Sequence, residues 1–565
     1  MRNMLKFLHQ HKSRAIAGLI FKMLAAGMEL TIPYIMALLI NGDNSLSRIY
    51  QMGGLILLVV LINITFDLIC QYFASVSSAG IGMQIRKALF DKVNTLAFSD
   101  LDEVGITSLT TRITSDVTQV QQATAMGIRL LSRAPFMAVG ALIMAMIIDM
   151  KLSLLFLAVI LLVLLASALV RKFCSPMYIA TQKGLDTVIS TVKQTLSGIR
   201  VFSAFNMQPL KKEEFDGVSD DYRAAVMRVN SIASLLSPVT QIIINLAVVG
   251  VVYFGGQMTG RGEMPAGDIM ALTSYLFQVL IAMNVISMLI VLFTKAEASA
   301  QRINDILTIQ SDMADGTQVE PLPTDDILKF EHVTFEYRHS ALPQLNDINF
   351  TIKKRQRIGI IGGTGSGKST LIHLIARAYD VTDGSISVLG RDVRDWEMDA
   401  LRDHVSIARQ RAQMLNETVR ENIRFGSGAS DDMVIKAAEM AQANEFIDKM
   451  DRGYDHVIEQ EGRNLSGGQK QRISLARALA RGGELLIIDN GLSALDFLTD
   501  SRVRANLNKE RSDQTIIMIS ERVSTLKNCD NILVMQEGAL IAQGDHDQLM
   551  KGCELYKEIA ASQLG

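Results

Sequence analysis

Cysteine is scarce in this chain of 565 residues: Cys70, Cys174, Cys529 and Cys553 are the only four, and they lie far apart. Their spacing excludes a disulfide framework and offers no zinc-ligand pattern. Two fall in apolar segments and two near the C-terminus, which fits a reducing cytosol. Charge of one sign is lacking as well. A formal net charge of -2 provides no electrostatic case for nucleic acid as a partner. Tryptophan occurs once. The basic residues Arg2, Lys6, Lys12 and Arg14 precede an apolar stretch with no small-residue cleavage site after it. A retained first span, not a signal peptide, is therefore expected. What the chain does have is apolar length: 49% of residues are hydrophobic and methionine occurs 29 times. The mean hydropathy of +0.23 points to membrane spans.

Six long apolar stretches lie near 15–40, 51–77, 134–149, 151–171, 238–258 and 268–294. Each approaches or exceeds the roughly 20 residues that cross a bilayer as a helix. The connections at 41–50, 149–151 and 259–267 are short and carry one basic residue each, Arg48, Lys151 and Arg261. Segments 78–133 and 171–237 are long and rich in lysine and arginine, from Arg86 and Lys87 to Arg223 and Arg228. The positive-inside bias places these segments and both termini in the cytoplasm. They read as helices running well past the bilayer, with short turns near Asp100–Gly105 and Gly198–Gln208 at their tips. Lys22, Glu29, Asn63, Asp67, Asn245 and Asn284 are polar positions within the spans. For Glu29 and Asp67 two readings stand open: lining a cation-accepting cavity, or sitting near span ends or pairing between helices.

Residues 308–327 are acidic, contain Pro321 and Pro323, and read as a linker. From Leu328 onward short strands alternate with helices, as in an α/β domain. The expected organisation is an all-α transmembrane domain of six spans over 1–307, the linker, and a phosphate-loop α/β nucleotide-binding domain over 328–565. Gly362-Gly363-Thr364-Gly365-Ser366-Gly367-Lys368-Ser369-Thr370 follows an apolar strand and satisfies G-x-x-x-x-G-K-[ST]. Glycines let backbone N–H groups wrap phosphates, Lys368 reaches the terminal phosphates, and the Ser369 hydroxyl ligates magnesium. Leu465-Ser466-Gly467-Gly468-Gln469 opens a further helix, a second anion-binding geometry. The strand Leu485–Ile488 ends in Asp489, placed to hold a magnesium ion. Ser493-Ala494-Leu495-Asp496 follows.

In this order the motifs resemble those of the ATP-binding cassette ATPases. With six spans ahead of them, the whole chain resembles a half-transporter of the ATP-binding cassette exporter family. That resemblance implies ATP and Mg2+ as cofactors and a head-to-tail pair of cassettes. In such a pair each ATP lies between one phosphate loop and the opposite LSGGQ. It also implies that Tyr337 stacks on adenine, although an ordinary strand tyrosine is the alternative. By the same likeness Gln410 touches magnesium, Asp496 communicates between sites, and the two cytoplasmic tips dock on the cassettes. The proline usual before the loop glutamine is replaced by Arg409.

Two positions depart from the family pattern. Asn490 stands where a glutamate normally polarises the attacking water, and an amide cannot accept a proton. Glu521 stands where a histidine normally contacts the γ-phosphate. The resemblance thus implies the degenerate-site subunit of a heterodimeric, multidrug-type exporter. Its partner would be a second half-transporter chain with glutamate and histidine intact, its cargo small and amphipathic, and its location the bacterial cytoplasmic membrane. A slow homodimer and a nucleotide-regulated, non-transporting membrane subunit are the rival readings.

Overall fold

The computed structural model describes residues 5–42, 45–311, 313–338, 340 and 342–564. Arg2 of the basic N-terminal cluster and Asp312 of the linker lie outside the described residues. The chain divides into two compact units.

The first unit comprises residues 1–94 and 107–309. Among the described residues six helical stretches are long and apolar enough to cross a membrane, beginning at His9, Leu46, Ile106, Met150, Gln208 and Ala266. Their lengths exceed what a bilayer needs. Leu46–Asn94 has 49 residues, about 74 Å at the rise of an α-helix, against a hydrocarbon core of about 30 Å. The apolar side chains split into two populations. Ala26, Leu30, Ala141, Phe156, Leu272 and Tyr275 are buried in one cluster, and the Tyr275 hydroxyl donates to the Leu30 carbonyl at 2.8 Å. Leu57, Leu61 and Leu68 stay exposed on the helix Leu46–Asn94, as an outer surface facing lipid requires.

Lys22, Glu29 and Asp67 are each paired. Arg133 donates to both carboxylate oxygens of Glu29, at 2.8 and 2.7 Å. The Lys22 ammonium donates to Asp67. The cavity beside Glu29 and Arg133 measures about 20 Å3, room for one water. Pairing between helices is therefore the arrangement found for both acids, because an unpaired charge at that depth is costly. Asn63 donates to the Ala25 carbonyl at 3.0 Å.

The reversals between the long helices correct one expectation. Where turns are expected, Phe98–Val104 and Ile199–Ala204 are short helices. The first is started by the Asp100 carboxylate, which accepts from the Ala97 N–H at 3.3 Å, and ended by Gly105 at φ +78°. A side chain that caps a turn of helix is hard to distinguish in sequence from one that caps a β-turn.

The second unit comprises residues 95–106 and 310–565. Its strands are β1 Asp326–Phe335, β2 Leu345–Lys353, β3 Arg357–Gly362, β4 Asp383–Val388 and β5 Arg391–Asp392. They continue with β6 Val405–Ala408, β7 Leu485–Asp489, β8 Thr515–Ile519, β9 Asn531–Gln536 and β10 Ala539–Gly544. One sheet runs β2-β1-β4-β5 and the other β10-β9-β3-β8-β7-β6. In the larger sheet β9, β3, β8, β7 and β6 are parallel, with β10 antiparallel at the edge. The apolar runs of β3, β7 and β8 are nearly continuous because both faces of a parallel sheet are covered. Ligands of such sheets gather at the carboxyl ends of the strands. Here those ends deliver the glycine loop after β3, Arg409 and Gln410 after β6, Asp489 at the end of β7 and Glu521 just past β8.

Candidate functional site: a phosphate loop with two altered partners

The glycine loop joins β3 to the helix Lys368–Ile375. Gly367 caps that helix at φ +96°, and a Cβ there would meet Leu345 at 2.6 Å. A Cβ on Gly362 would meet the Met535 carbonyl oxygen at 2.3 Å. Both positions therefore need glycine, for conformation in one case and for close approach in the other. The Lys368 ammonium donates to the carbonyls of Gly362 and Gly363 at 2.9 and 2.7 Å and to Ser366 Oγ at 3.4 Å.

A cavity of about 250 Å3 opens over this loop. Thr364 to Thr370 form one wall, and Gln410, Asp489, Asn490 and Glu521 form the other. The register that pairs Asp489 with Ile519 sets Glu521 two residues beyond the neighbouring strand end. Burial raises the Asp489 carboxyl above its usual range, opposed by Lys368, by the Gln410 backbone N–H and by Arg409. Burial lowers the Lys368 ammonium, and Glu521 and then Asp489 oppose it. Glu521 thus acts electrostatically on the phosphate-binding lysine. Asn490 sits at φ +49°, in the left-handed region, where an asparagine is far better tolerated than most residues.

The donor set fits Mg2+ and a nucleotide triphosphate. The Ser369 hydroxyl, the Gln410 side-chain amide and the Asp489 carboxylate, all able to offer oxygen, line this one cavity together with the glycine loop, whose backbone N–H groups suit phosphate. The metal affinity should carry the Asp489 shift. A carboxyl with a raised pKa is protonated at higher pH than an ordinary aspartate, and only its ionised form ligates the cation well. The strengthening of nucleotide binding by Mg2+ should therefore fade, as pH falls, earlier than an unperturbed carboxylate would allow. Titrating a fluorescent ATP analogue with and without Mg2+ across acid pH checks this. In Asp489→Asn that part of the pH dependence should be gone.

The remaining candidate residues fall elsewhere. Tyr337 is half-buried and lines an adjacent cavity of about 480 Å3. Its hydroxyl lies 3.4 Å from Thr370 Oγ1, and its ring meets Tyr379 edge-on at 5.2 Å. None of Leu465–Gln469 is among the residues lining the 250 Å3 cavity. Ser466 and Gln469 form a capping box at the start of the helix Gly467–Arg481: the Ser466 N–H donates to Gln469 Oε1 at 2.8 Å and the Gln469 N–H to Ser466 Oγ at 3.3 Å. That leaves a preformed helix N-terminus outside the lining of the cavity over the chain's own phosphate loop. Asp496 accepts from the N–H groups of Leu498 and Thr499 at 3.1 and 3.0 Å and from the Thr499 hydroxyl at 2.7 Å. The Thr499 N–H, followed by its hydroxyl, holds the carboxyl below its usual range. Its carboxylate is thus engaged at the start of the helix Phe497–Glu510. In Asp496→Ala, amide hydrogen exchange should speed up several-fold in the first turn of that helix and stay unchanged at β3.

The resemblance implied that the first tip docks on a cassette, but sequence reasoning named none of the residues that seat it. The Tyr379 hydroxyl donates to Asp102 at 2.5 Å, and Arg338 reaches Asp100 at 3.3 Å and Glu103 at 3.0 Å. Phe98 lies 6.4 Å from Tyr379, ring to ring. An acidic helix, FSDLDEV, held by an arginine and a tyrosine is the pattern. Its only sequence signal is the clustering of three acids at a chain reversal.

Against this geometry stand the comparisons with known proteins. Residues 15–283 match the family described as the ABC transporter transmembrane region, and residues 345–493 match the one described as ABC transporter. An uncharacterized ABC transporter ATP-binding protein of Bacillus subtilis is 30% identical over 570 residues, covering 100% of this chain and 99% of the relative. The ATP-dependent lipid A-core flippase of Vibrio vulnificus is 30% identical over 496 residues, 87% of this chain and 85% of that one. Among solved structures, a bacterial Atm1-family ABC exporter with ATP bound superposes with a TM-score of 0.82 at 21% identity, over 98% of this chain and 99% of that one. The chain belongs to the ABC transporter family, with a transmembrane region followed by an ATPase domain. It is accordingly a multi-pass membrane protein of a family that binds and hydrolyses ATP.

Proposed function

We propose that the protein is one half of a heterodimeric exporter that moves small amphipathic molecules, drugs or lipids, across the bacterial cytoplasmic membrane, its cassette and both termini in the cytoplasm. The observation that carries this reading is the company kept by Asn490 and Glu521. Both line the same cavity as Lys368, Ser369 and Asp489, so binding groups are retained where two catalytic groups are replaced. In this reading the loop N–H groups and Lys368 hold the phosphates, while Ser369, Gln410 and Asp489 hold Mg2+. Tyr337 stacks on the base. In hydrolysis a water oxygen bonds to the γ-phosphorus, the bond to the bridging oxygen breaks, and the water proton must pass to a base. Asn490 orients the water without taking that proton. Glu521 sets negative charge beside a polyanion and competes for Lys368. The site therefore binds ATP and turns it over slowly.

The LSGGQ segment, unaltered and outside the lining of this chain's own phosphate cavity, completes the phosphate-loop site of a second chain whose own glutamate and histidine are intact. Amphipathic cargo is supported by the lipid named for the Vibrio relative, and the cytoplasmic placement by the lysine- and arginine-rich segments 78–133 and 171–237. Reconstitution tests the assignment. The purified chain alone should show little ATPase activity, and adding the cognate second cassette chain should raise it by about 10²-fold or more, the usual value of a catalytic base. Brisk turnover by the chain alone, abolished by Lys368→Ala, would overturn the heterodimer.

A further inference from the structure

We propose that Gln563, on the helix Glu554–Leu564, is a positioning residue for the nucleotide site: its side-chain amide fixes the backbone that carries Glu521 and so holds that carboxylate at the phosphate cavity. This rests on the reading of Glu521 as opposing the phosphates, and adds what keeps it in place.

Past β8 the Ser520 N–H donates to the Ile360 carbonyl of β3 at 3.2 Å, and the Ser520 hydroxyl accepts from the Arg522 N–H at 3.0 Å. The short helix Val523–Leu526 then begins with no side-chain cap from Arg522. An arginine has no acceptor to offer the first N–H groups of a helix. Gln563 supplies one from elsewhere in the fold. Its Oε1 accepts from the Val523 N–H at 2.8 Å, and its Nε2 donates to the Glu521 carbonyl at 2.6 Å. One partner is a donor and the other an acceptor, so a single orientation of the amide satisfies both. The amide thus ties down the peptide on either side of Arg522. A cap alone needs only the acceptor; the donation to the carbonyl is what fixes Glu521.

The helix behind the amide is itself anchored. Tyr556 and Ala560 are buried in one cluster with Val523, Leu526 and Ile361, the residue before Gly362 of the phosphate loop. The helix Glu554–Leu564 therefore packs in the same core as the strand that feeds that loop. At the other end of the linkage, the Glu521 carboxylate lines the cavity of about 250 Å3 yet has no hydrogen-bond or ion-pair partner among the described residues. Nothing at the side-chain end draws it toward bound phosphates, and a polyanion repels it. Its place is set from the backbone end. A loosened backbone lets ATP push the carboxylate aside, and Lys368, on which Glu521 acts, is then left to the phosphates.

Binding of a fluorescent ATP analogue with Mg2+ to the full-length chain in detergent tests this. Gln563→Met deletes both bonds at an exposed position while keeping side-chain length and helix propensity. It should tighten binding about five-fold, within the range of coupling between neighbouring groups. Glu521→Gln should tighten binding as well, because the charge is gone, and in that background Gln563→Met should add nothing. Amide exchange at Val523 should rise several-fold in Gln563→Met and stay unchanged at β3, where it reports an intact fold. Gln563→Ala, which lacks the same two groups in a smaller side chain, should give the same gain. A role in stability alone predicts the reverse: weaker binding, whatever stands at 521. Unchanged or weaker binding in both Gln563 variants would overturn the proposal, and so would a gain that persists beside Glu521→Gln. Glu521→Gln alone separates the two readings. If it leaves the affinity unchanged, Glu521 does not oppose the phosphates, and that reading falls together with the proposal. If it tightens binding while neither Gln563 variant does, only the positioning role falls.

Discussion

Ser466→Arg is expected to abolish ATP turnover by the assembled transporter, by about 10²-fold or more, while leaving ATP binding at this chain's own phosphate loop intact. The expectation follows from where Ser466 sits. It caps the helix Gly467–Arg481 and is not among the residues that line the 250 Å3 cavity with Lys368. If that helix N-terminus closes over the partner's ATP, its exposed N–H groups face the γ-phosphate, where anion stabilisation is worth most. An arginine there fills the space the phosphate must occupy. The substitution also removes a cap worth about 1 kcal/mol, so Ser466→Ala is the control. It loses the same cap without the bulk and should retain much of the turnover. Lys368→Ala should weaken ATP retention at the degenerate site and slow transport less completely. Full activity in Ser466→Arg would show that the two cassettes do not meet head to tail.

How much of this was legible before the structure depends on whether a feature is local. The phosphate loop was, because the backbone geometry forces glycine at Gly362 and Gly367 and the chemistry forces Lys368 and Ser369. The membrane helices were, because a bilayer demands apolar length that no loop supplies. The gathering of Gln410, Asp489, Asn490 and Glu521 along one sheet edge followed from a parallel sheet, whose strand ends deliver chemistry to a single side. Pairing in the spans was half legible. Glu29 and Asp67 were visible as unusual, but their partners Arg133 and Lys22 are set by helix packing that no spacing rule reports. A cavity of about 610 Å3 lined by Arg402, Arg409, Arg411, Arg477 and Arg481 was not legible at all. These residues come from the end of one helix, the loop after β6 and the face of the helix Gly467–Arg481, and only the fold brings them together. In sequence Arg409 stands out only as a missing proline, whereas in the structure it is an exposed charge.

The second large effect concerns catalysis at the site that carries Asn490 and Glu521. Asn490→Glu returns a carboxylate beside Asp489, yet it should gain little activity alone, for two reasons. Glu521 remains on the same cavity, where it already acts on Lys368, and carboxylates crowded around one phosphate and one water disfavour each other's ionised forms. The backbone at 490 also lies at φ +49°, a conformation that costs a non-glycine, non-asparagine residue on the order of 1 kcal/mol. Adding Glu521→His removes the first obstacle and supplies a donor to the γ-phosphate. The double variant should therefore exceed the single by at least about ten-fold, and the two changes should be non-additive because they act on one reacting centre. Turnover must be measured in a heterodimer whose partner has lost its own catalytic glutamate, so that only this site is counted. Full recovery from Asn490→Glu alone would mean that Glu521 turns away from the phosphate when ATP is bound. No recovery from the double variant would place the defect in the partner's signature loop, which must complete this site just as Ser466 is expected to complete the other.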